Sequence, residues 1–327
     1  MGVQDPISKS CAGQLAAQGD GTAHRHGIAV LIPCLNEEVT IGKVVRDFAL
    51  ALPGAVIYVF DNASSDRTVE VARNAGARVI HSPQRGKGNV IRHMKRAVDA
   101  DIFVLVDGDG TYPASAAPEL IDRFRKERLD MLVATRLEQH HAGAFRLFHR
   151  FGNRFISWLV SVLFSVRVGD VLSGYRILSR QFFRMVPLQA RGFEIETELT
   201  LQAAVKSFGI REVPVEYGAR PENSHSKLNT VGDGFIILRC LVLIFKDYKP
   251  LLFFSVIAGI LALASLAAGI GPVLEFYETG IVLRVPRAIL AAGLGILATL
   301  SFSVGLILDT VAKYHNETME LWRQHLH

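Results

Sequence analysis

The sequence has little cysteine, and what it has is scattered. Its three cysteines, Cys11, Cys34 and Cys240, lie far apart and form no CxxC pair. Disulfide frameworks and structural zinc sites need closely and regularly spaced cysteines. Neither kind of site is therefore expected, and a reducing compartment fits this cysteine usage best.

The first 26 residues contain no apolar run, so no signal peptide is predicted there. They are rich in Gly, Ala, Gln, Ser and His and show no hydrophobic period. Segments of this composition cannot bury enough apolar surface to fold on their own. A flexible tail is predicted over residues 1–26.

The chain also has no strong surplus of charge, because its formal net charge is only +5. Zinc-finger and RNA-binding signatures are missing, so nucleic acid is not an expected partner. A mild positive surplus fits phosphate ligands or anionic lipid headgroups.

What the sequence does contain is an alternation of short apolar runs and helical stretches between residues 27 and 137. The first run, Ile28–Ile32, is β-branched and is followed by Pro33. Strands that alternate with helices of about ten residues predict βαβ units and a mostly parallel sheet. Asn36 is predicted to cap the helix after the first strand, and this helix is expected to run to about Leu50.

The most informative segment is Val104–Gly110, where an apolar run ends in two carboxylates flanked by glycines. Asp107 and Asp109 are predicted at the carboxyl end of a buried strand, where open parallel sheets bind ligands. Mg²⁺ typically takes one or two protein carboxylates together with phosphate oxygens of a substrate. A type I turn also favours Asp and Gly, so this segment alone leaves both interpretations open.

Reactive or phosphate-binding residue types follow five predicted strands in succession. They are Asn36 and Glu37, Asp61, the loop Arg85–Gly86–Lys87–Gly88, Asp107 with Asp109, and Arg136. The carboxyl ends of parallel strands meet at one edge, so this recurrence predicts a site for a nucleotide diphosphate and a metal ion. The glycine-containing loop lacks the P-loop spacing and, taken alone, could be a turn with a solvated lysine.

The second half of the sequence is typical of a membrane protein. Arginines recur every fourth residue beside aromatic residues in 141–168, which favours an interfacial helix over an ordinary domain helix. Leu251–Gly271 and Ala288–Leu308 are each uncharged over 21 residues. At about 1.5 Å per residue, each can cross a hydrocarbon core of about 30 Å. Lysines outside the two spans favour cytoplasmic termini.

These segments together resemble glycosyltransferase family 2, in its polyprenyl-phosphate branch, to which dolichol-phosphate mannose synthase belongs. The resemblance covers about residues 27–312 and rests on motifs that are specific in combination. They are Pro33–Cys34–Leu35–Asn36–Glu37, Asp61 with Ser65–Asp66, Arg85–Gly86–Lys87–Gly88, Asp107–Gly108–Asp109, Ser173–Gly174–Tyr175–Arg176, and Arg220 with Ser226–Lys227. Departures at Gly110–Pro113 and at Asn223 leave the identity of the sugar open.

The resemblance implies an α/β GT-A fold with a mostly parallel sheet, interfacial helices and two C-terminal transmembrane helices. The implied segments are a flexible tail (1–26), a GT-A catalytic domain (27–230) with an interfacial region (141–168), a juxtamembrane helix (231–249), two transmembrane helices (250–312) and a cytoplasmic tail (313–327).

It also implies roles for individual residues. Contacts to the nucleotide-diphosphate donor are expected from Pro33, Asn36, Glu37, Asp61, Lys87, Asp107 and Arg136. Contacts to the acceptor phosphate are expected from Arg176, Arg220, Ser224, Ser226 and Lys227. Asp107 and Asp109 would hold Mg²⁺ or Mn²⁺. Asp170 is either a base that acts on the acceptor or a structural turn carboxylate, and the residues do not choose between these.

The implied activity is inverting transfer of a sugar from a nucleotide diphosphate, UDP favoured over GDP, to a polyprenyl phosphate. The implied location is the cytoplasmic face of a bacterial inner membrane, with a homo-oligomer, a tetramer in the family, as the assembly. A processive polysaccharide synthase is one alternative, although Gln181–Phe182–Phe183–Arg184–Met185 lacks the Trp of the Gln-x-x-Arg-Trp motif. A non-catalytic, membrane-anchored partner that binds nucleotide sugar is the other.

Overall fold

A computed structural model describes residues 26–137, 161, 169–218, 238–239 and 242–325. Residues 1–25 of the predicted tail, nearly all of the predicted interfacial region and the segment Arg220–Lys227 lie outside the described residues. So do residues 231–237, 240 and 241 of the predicted juxtamembrane helix, whereas residues 242–248 are helical.

The described residues form seven strands and eight α-helices. The strands are β1 (His26–Cys34), β2 (Val56–Asp61), β3 (Arg78–His81), β4 (Ala100–Leu105), β5 (Met131–Leu137), β6 (Arg176–Ser179) and β7 (Ile210–Glu216). The helices are α1 (Ile41–Ala51), α2 (Thr68–Asn74), α3 (Lys87–Ala97), α4 (Ala117–Lys126), α5 (Arg180–Met185), α6 (Ile195–Val205), α7 (Pro250–Thr279) and α8 (Val285–His325). A 3₁₀ turn, Ala114–Ala116, precedes α4.

All seven strands form one sheet in the order β3-β2-β1-β4-β6-β5-β7. Strand β6 runs antiparallel to both of its neighbours, β4 and β5, and the remaining pairs are parallel. The predicted α/β fold with a mostly parallel sheet is confirmed. The antiparallel strand was not predicted, because Arg176–Ser179 has only four residues and runs directly into a helix.

Apolar side chains cover both faces of the sheet, which accounts for the nearly continuous apolar runs in β1 and β4. One face packs against α1 and α4, with Phe48 and Phe124 among the buried residues. The other face packs against α3, α5 and α6, where Met94, Phe182 and Leu199 are buried. Two such layers fix the strands and therefore the loops at their ends.

The helix after β1 begins later than the sequence predicts. Helix α1 starts at Ile41, and Thr40 precedes it. Asn36 does not cap this helix; it has a φ of 51° and its side-chain Oδ1 accepts from the Ser65 N–H at 2.8 Å. The prediction of Asn36 as a helix cap is therefore wrong, because the side chain ties two loops together instead.

The two C-terminal helices are long and apolar enough to cross a membrane. The candidate spans cover Pro250–Thr279 and Val285–Tyr314. They pack closely on each other, and Ser265 Oγ of α7 donates to the Ala291 carbonyl of α8 at 2.7 Å. Much of their remaining surface is exposed and apolar, which is the pattern expected of helices that face lipid.

Candidate active site

The register of the sheet brings the predicted site residues to one edge. Cys34, the last residue of β1, lies opposite Asp61, and Asp61 lies opposite His81 of β3. Leu105, which ends β4, pairs with Arg176, the first residue of the antiparallel strand β6. The end of β4 and the beginning of β6 therefore open on the same edge.

Asn62 holds the loops of this edge together. Its Nδ2 donates to the carbonyls of Ser82 and Gln84 at 3.0 and 2.8 Å, and its Oδ1 accepts from the Gly86 N–H at 2.8 Å. Its own N–H donates to the Cys34 carbonyl at 2.8 Å. The Asn62 side chain thus ties the segment after β2 to the segment after β3, and its backbone N–H ties it to the end of β1, a role that the sequence analysis missed.

The residues expected to contact the nucleotide lie beside this link. Asp61 is buried, and its carboxylate accepts from the Ser64 N–H at 3.1 Å and contacts His81 Nδ1 at 3.2 Å. The Glu37 N–H donates to Thr68 Oγ1 at 2.8 Å. Pro33, the last residue but one of β1, pairs with Phe60 and is half-buried.

Asp107 lies close to a lysine at the centre of the edge. Its Oδ1 is 2.5 Å from Lys87 Nζ, and 29% of the side chain is exposed. A Cβ atom at position 174 would lie 2.2 Å from Asp107 Oδ2, so Gly174 leaves the space that this carboxylate occupies. The glycine of the Ser173–Arg176 motif is therefore needed for its lack of a side chain.

Lys87 is not solvated, because its ammonium is held between two carboxylates. The second is Glu196, whose Oε1 also pairs with Lys87 Nζ. Only 11% of the Lys87 side chain is exposed. Burial alone would lower the pKa of Lys87, but the charges of Asp107 and Glu196 outweigh it and raise the pKa well above its usual range. The lysine is therefore a fixed positive charge at this edge.

Glu196 is the residue that the sequence analysis most clearly missed. It lies in the first turn of α6, is 4% exposed, and has one carboxylate oxygen, Oε2, without a hydrogen-bond partner among the described residues. Burial raises its pKa, although Lys87 opposes the shift. A glutamate in the first turn of a largely apolar helix could have been noticed in the sequence. Its partner, Lys87, could not, because it lies more than 100 residues away.

The Gly86 and Gly88 positions serve close backbone packing. A Cβ atom at Gly86 would lie 2.2 Å from the Arg191 carbonyl oxygen, and one at Gly88 would lie 2.3 Å from that of Ala190. The Gly88 N–H also donates to the Gly192 carbonyl at 3.1 Å. The loop before α6 thus packs on the start of α3, and this packing brings Glu196 to Lys87.

Asp109 has a different environment from Asp107. It is 5% exposed, and its Oδ1 accepts from the Thr111 N–H and hydroxyl at 3.1 and 2.7 Å. Thr40 Oγ1 donates to the intervening Gly108 carbonyl at 2.7 Å. These contacts hold the two carboxylates in one tight turn, with Asp107 the more accessible.

Arg136 and Asp170 form a bidentate ion pair. The guanidinium Nε and Nη2 each lie 2.9 Å from a carboxylate oxygen, and Arg136 stacks on the Tyr217 ring at 5.7 Å. Burial would raise the pKa of Asp170, but Arg136 outweighs it and the pKa is lowered. Asp170 also accepts from the Leu172 N–H at 3.2 Å. This geometry favours a structural turn carboxylate over a base.

Arg176 is completely buried, which corrects its predicted contact with the acceptor phosphate. Its guanidinium donates to the carbonyls of Ser173 and Val171 at 2.9 Å and to Thr200 Oγ1 at 2.8 Å. Burial lowers its pKa. With its exposed fraction at zero, Arg176 fixes the shape of the loop before β6 from within.

Tyr112 is a further positioning residue outside the predicted set. Its hydroxyl accepts from the Gly174 N–H at 3.1 Å and lies 3.2 Å from Ser173 Oγ. Burial raises its pKa above the usual range. Tyr112 thus connects the turn that follows Asp109 to the glycine beside Asp107.

The site presents oxygen donors and a buried ammonium. Among the described residues, no group of three His, Cys, Asp or Glu side chains could hold a metal ion. Asp107 and Asp109 supply two carboxylates. Mg²⁺ commonly binds one or two protein carboxylates when substrate phosphates complete its coordination. The arrangement therefore suits a cation that arrives with an anionic substrate.

Comparison with known proteins identifies the family. Residues 29–182 match the model of glycosyl transferase family 2. Glycosyltransferase AglJ of Haloferax volcanii is 31% identical over 297 residues, which cover 90% of this chain and 96% of that protein. The chain belongs to glycosyltransferase family 2.

Other relatives are similar in sequence, and a solved structure shares the fold. The dolichyl-phosphate hexose transferase of Haloferax volcanii is 30% identical over 66% of this family 2 chain and 92% of that protein. Protein RfbJ of Shigella flexneri is 52% identical over 39% of this chain and 98% of its own length. Glucosyl-3-phosphoglycerate synthase of Mycobacterium tuberculosis, solved with Mn²⁺, UDP and glucosyl-3-phosphoglycerate, shares the fold with a TM-score of 0.54 and 22% identity. That match covers 68% of this chain and 80% of the other.

Proposed function

We propose that this family 2 glycosyltransferase moves a sugar from a nucleotide diphosphate to a polyprenyl phosphate. The observation that carries the proposal is the site edge itself. Two carboxylates, Asp107 and Asp109, lie there beside the buried ammonium of Lys87, in a chain that ends in two candidate membrane spans. The likeness to a dolichyl-phosphate hexose transferase supports a lipid phosphate as the acceptor.

The favoured donor nucleotide is UDP. The fold relative glucosyl-3-phosphoglycerate synthase was solved with UDP and Mn²⁺, and another of its structures holds Mg²⁺ and UDP. Asp107, Asp61 and Glu37 lie along the same edge, where a nucleotide diphosphate could contact all three. The sugar itself is left open.

Asp107 and Asp109 are the residues that would hold Mg²⁺ or Mn²⁺. Their oxygen donors fit such an ion, and the absence of a side chain at Gly174 leaves room for the Asp107 carboxylate. When bound, the cation would neutralise charge on the leaving diphosphate. Lys87 supplies a second positive charge next to Asp107, and its burial strengthens that charge toward an anionic substrate.

The acceptor needs no strong general base. The second pKa of a phosphate monoester is about 6, so the acceptor phosphate is largely dianionic at neutral pH and already nucleophilic. This agrees with the position of Asp170, whose carboxylate is held by Arg136. Transfer would be a single displacement that inverts the anomeric carbon.

The proposed location is the cytoplasmic face of a bacterial inner membrane, with the catalytic domain and both termini in the cytoplasm. Residues 27–230 form the catalytic domain in this proposal, and residues 250–312 the two spans. Arg220, Ser224, Ser226 and Lys227 remain the proposed contacts for the acceptor phosphate. A homo-oligomer is part of the proposal.

The test is product formation by the purified full-length protein in lipid. A panel of UDP and GDP sugars is supplied with undecaprenyl phosphate and Mg²⁺ or Mn²⁺, and the lipid product is identified by mass spectrometry. We expect one singly glycosylated lipid phosphate, lost in Asp107→Asn and Asp109→Asn and in chelator. A polymeric product would instead support a processive synthase, and donor binding without any turnover would support a non-catalytic partner.

A further inference from the structure

A basic groove lies beside α3, roughly one and a half to two and a half helical turns beyond Lys87. Its volume is about 440 Å³. It is lined by Gln84, Arg92, Lys95, Arg96 and Leu188. The three cations share one helical face because residues three and four apart are neighbours on a helix. None of them belongs to the site described above.

Charge in this groove is not balanced within the described residues. Lys95 Nζ donates to the Val186 carbonyl, and the cations Lys206 and Arg184 lie within electrostatic range of it. Burial, together with those two cations, lowers the pKa of Lys95. Lys206 Nζ is buried and has no hydrogen-bond partner among the described residues. A buried ammonium without a partner is costly, so a bound anion would stabilise this region.

The nearby carboxylates are already committed elsewhere. Glu198 lies within electrostatic range of Arg92, but its oxygens accept the N–H groups of Gln189 and Ala190 at 2.8 to 3.0 Å. Asp99 pairs with Arg180 at 2.8 Å and with Arg184 at 3.3 Å. Neither carboxylate compensates Lys95 or Lys206.

Helix α6 connects the groove to the start of the first candidate span, because Lys206 at its end interacts electrostatically with Lys95 of the groove. Tyr248, two residues before α7 begins, donates through its hydroxyl to Gln202 Oε1 of α6 at 2.6 Å. Gln202 and Lys206 are four residues apart, so they lie on one side of the chain at the end of α6. The headgroup layer lies immediately outside the hydrocarbon core, so a headgroup phosphate is the anion expected next to the start of a membrane span.

We propose that the groove binds the phosphate of an anionic phospholipid headgroup, with the buried ammonium of Lys206 adding positive charge behind it. Guanidinium and ammonium groups donate charge-assisted hydrogen bonds to phosphate oxygens, and Arg92, Arg96 and Lys95 offer both kinds of donor. The position near Tyr248 favours a lipid phosphate over free phosphate. The site is distinct from the proposed donor and acceptor contacts, so it goes beyond the proposed function.

The first test measures lipid binding to the full-length protein in detergent by native mass spectrometry. Phosphatidylglycerol, phosphatidylcholine and inorganic phosphate are titrated in separate arms. The variant Lys95→Gln/Arg96→Gln is compared with a control, Arg73→Gln/Arg125→Gln, which removes two exposed cations from helices that pack on the opposite face of the sheet. Each basic residue near an anionic lipid surface contributes about fivefold in affinity, so we expect the first variant to bind phosphatidylglycerol roughly tenfold or more weakly.

The second test uses Lys206→Met and thermal unfolding. Without added anion, this variant should unfold at the same temperature as the wild type or higher, because it removes an unpaired buried ammonium. Phosphatidylglycerol should raise the unfolding temperature of the wild type more than that of the variant. A lower unfolding temperature of Lys206→Met than of the wild type, measured without added anion, would contradict the proposal.

Two binding results would overturn the proposal. Equal affinity of the wild type and Lys95→Gln/Arg96→Gln for phosphatidylglycerol would show that the groove does not bind the headgroup. A dependence on Lys95 and Arg96 that appears only with inorganic phosphate, without preference for phosphatidylglycerol over phosphatidylcholine, would overturn the lipid assignment in favour of a free anion. The proposal is supported if Lys95→Gln/Arg96→Gln loses the preference for phosphatidylglycerol and the control variant keeps it. This result does not depend on sugar transfer, so it tests the groove separately from the proposed function.

Discussion

At the scale of single residues, the ion pairs of Lys87 determine how Asp107 can meet a divalent cation. The ammonium lies between Asp107 and Glu196, so a cation that binds Asp107 must displace it. In the wild type the displaced ammonium retains Glu196 as a partner. Glu196 therefore lowers the cost of freeing Asp107, which makes it a positioning residue.

The first prediction follows from that exchange. Glu196→Gln leaves Lys87 paired with Asp107 alone, so the cation competes with a stronger ion pair. We expect the concentration of Mn²⁺ needed for half-maximal UDP binding to rise roughly tenfold, which corresponds to about 1.4 kcal/mol. Titration calorimetry of Mn²⁺ and UDP on the full-length protein measures this directly.

Glu194→Gln is the matched control, because Glu194 lies two residues earlier and its carboxylate accepts from the N–H groups of Arg191 and Gly192 and not from Lys87. It should keep the Mn²⁺ requirement of the wild type. An unchanged requirement in Glu196→Gln would mean that Lys87 does not compete with the cation.

The pair of Asp170 and Arg136 makes a prediction about pH. The pKa of Asp170 is lowered in the folded protein, so the pair stabilises the fold above the unfolded pKa of about 3.9 and loses this contribution as pH falls through the folded value. Asp170→Asn should unfold at a lower temperature than the wild type at pH 7. The difference should narrow below about pH 4, which thermal unfolding across pH 3 to 7 would record.

Asp122→Asn is the control for this comparison. Asp122 is exposed and pairs with the exposed Lys126 at 2.6 Å, so its loss should cost little at any pH. A difference between Asp170→Asn and the wild type that stays constant from pH 7 to pH 3 would refute an ionised Asp170 as the source of the stabilisation.

At the scale of elements, the packing of the loop 189–192 on the start of α3 is what assembles the Lys87 site. Gly88→Ala would place a Cβ atom 2.3 Å from the Ala190 carbonyl oxygen, and backbone must move to relieve this contact. Overpacking of this kind typically costs about 1–3 kcal/mol of unfolding free energy. We expect a lower unfolding temperature and weaker UDP binding together, measured by thermal unfolding and calorimetry.

Gly27→Ala serves as the control, because nothing lies within 4 Å of a Cβ atom at that position. It should leave both stability and UDP binding close to wild type. If Gly88→Ala did the same, the close approach of the loop to α3 would not be needed to hold Lys87 in place.

The sequence predicted most elements of this fold because their signals are local. The apolar run that ends at Asp107 and the alternation of strands and helices between residues 27 and 137 appear where the pattern puts them. Strand β6 was missed because four residues of Arg-Ile-Leu-Ser carry too short a period to be distinguished from the helix that follows.

The site was predicted less completely, because its contacts join residues distant in sequence. The sequence shows that residue 87 is a lysine, but it does not show that Glu196 lies beside it. It shows that residue 176 is an arginine, but it does not show that the guanidinium is wholly buried and bonded to Thr200. Charged side chains are mostly exposed, so burial of this arginine opposes the general expectation.

At the scale of the whole molecule, the segment Arg220–Lys227 lies in the sequence between the last strand of the proposed catalytic domain and the membrane segments. We expect Arg220→Ala and Lys227→Ala each to lower transfer to undecaprenyl phosphate roughly a hundredfold, since a charge-assisted phosphate contact in the transition state is worth about 2–3 kcal/mol. The affinity for UDP sugar, measured by calorimetry without lipid, should change much less.

Arg125→Ala provides the comparison, because this arginine is exposed on α4 and lies outside the proposed site. It should transfer sugar at the wild-type rate. Loss of UDP-sugar binding in Arg220→Ala or Lys227→Ala, with the dependence on lipid phosphate intact, would assign the loop to the donor instead.

The position of β6 has a consequence for how the chain is made. Strand β6 fills the place between β4 and β5, so β5 has no contact with β4 and cannot close the sheet by itself. The outer edge of β4 has no partner strand until the ribosome has added about 75 more residues and β6 is complete. This takes roughly 4 to 15 s at 5 to 20 residues per second. An open apolar edge of this kind invites pairing with other chains. Slow translation between residues 105 and 179 would therefore prolong the period in which this protein is most exposed to aggregation.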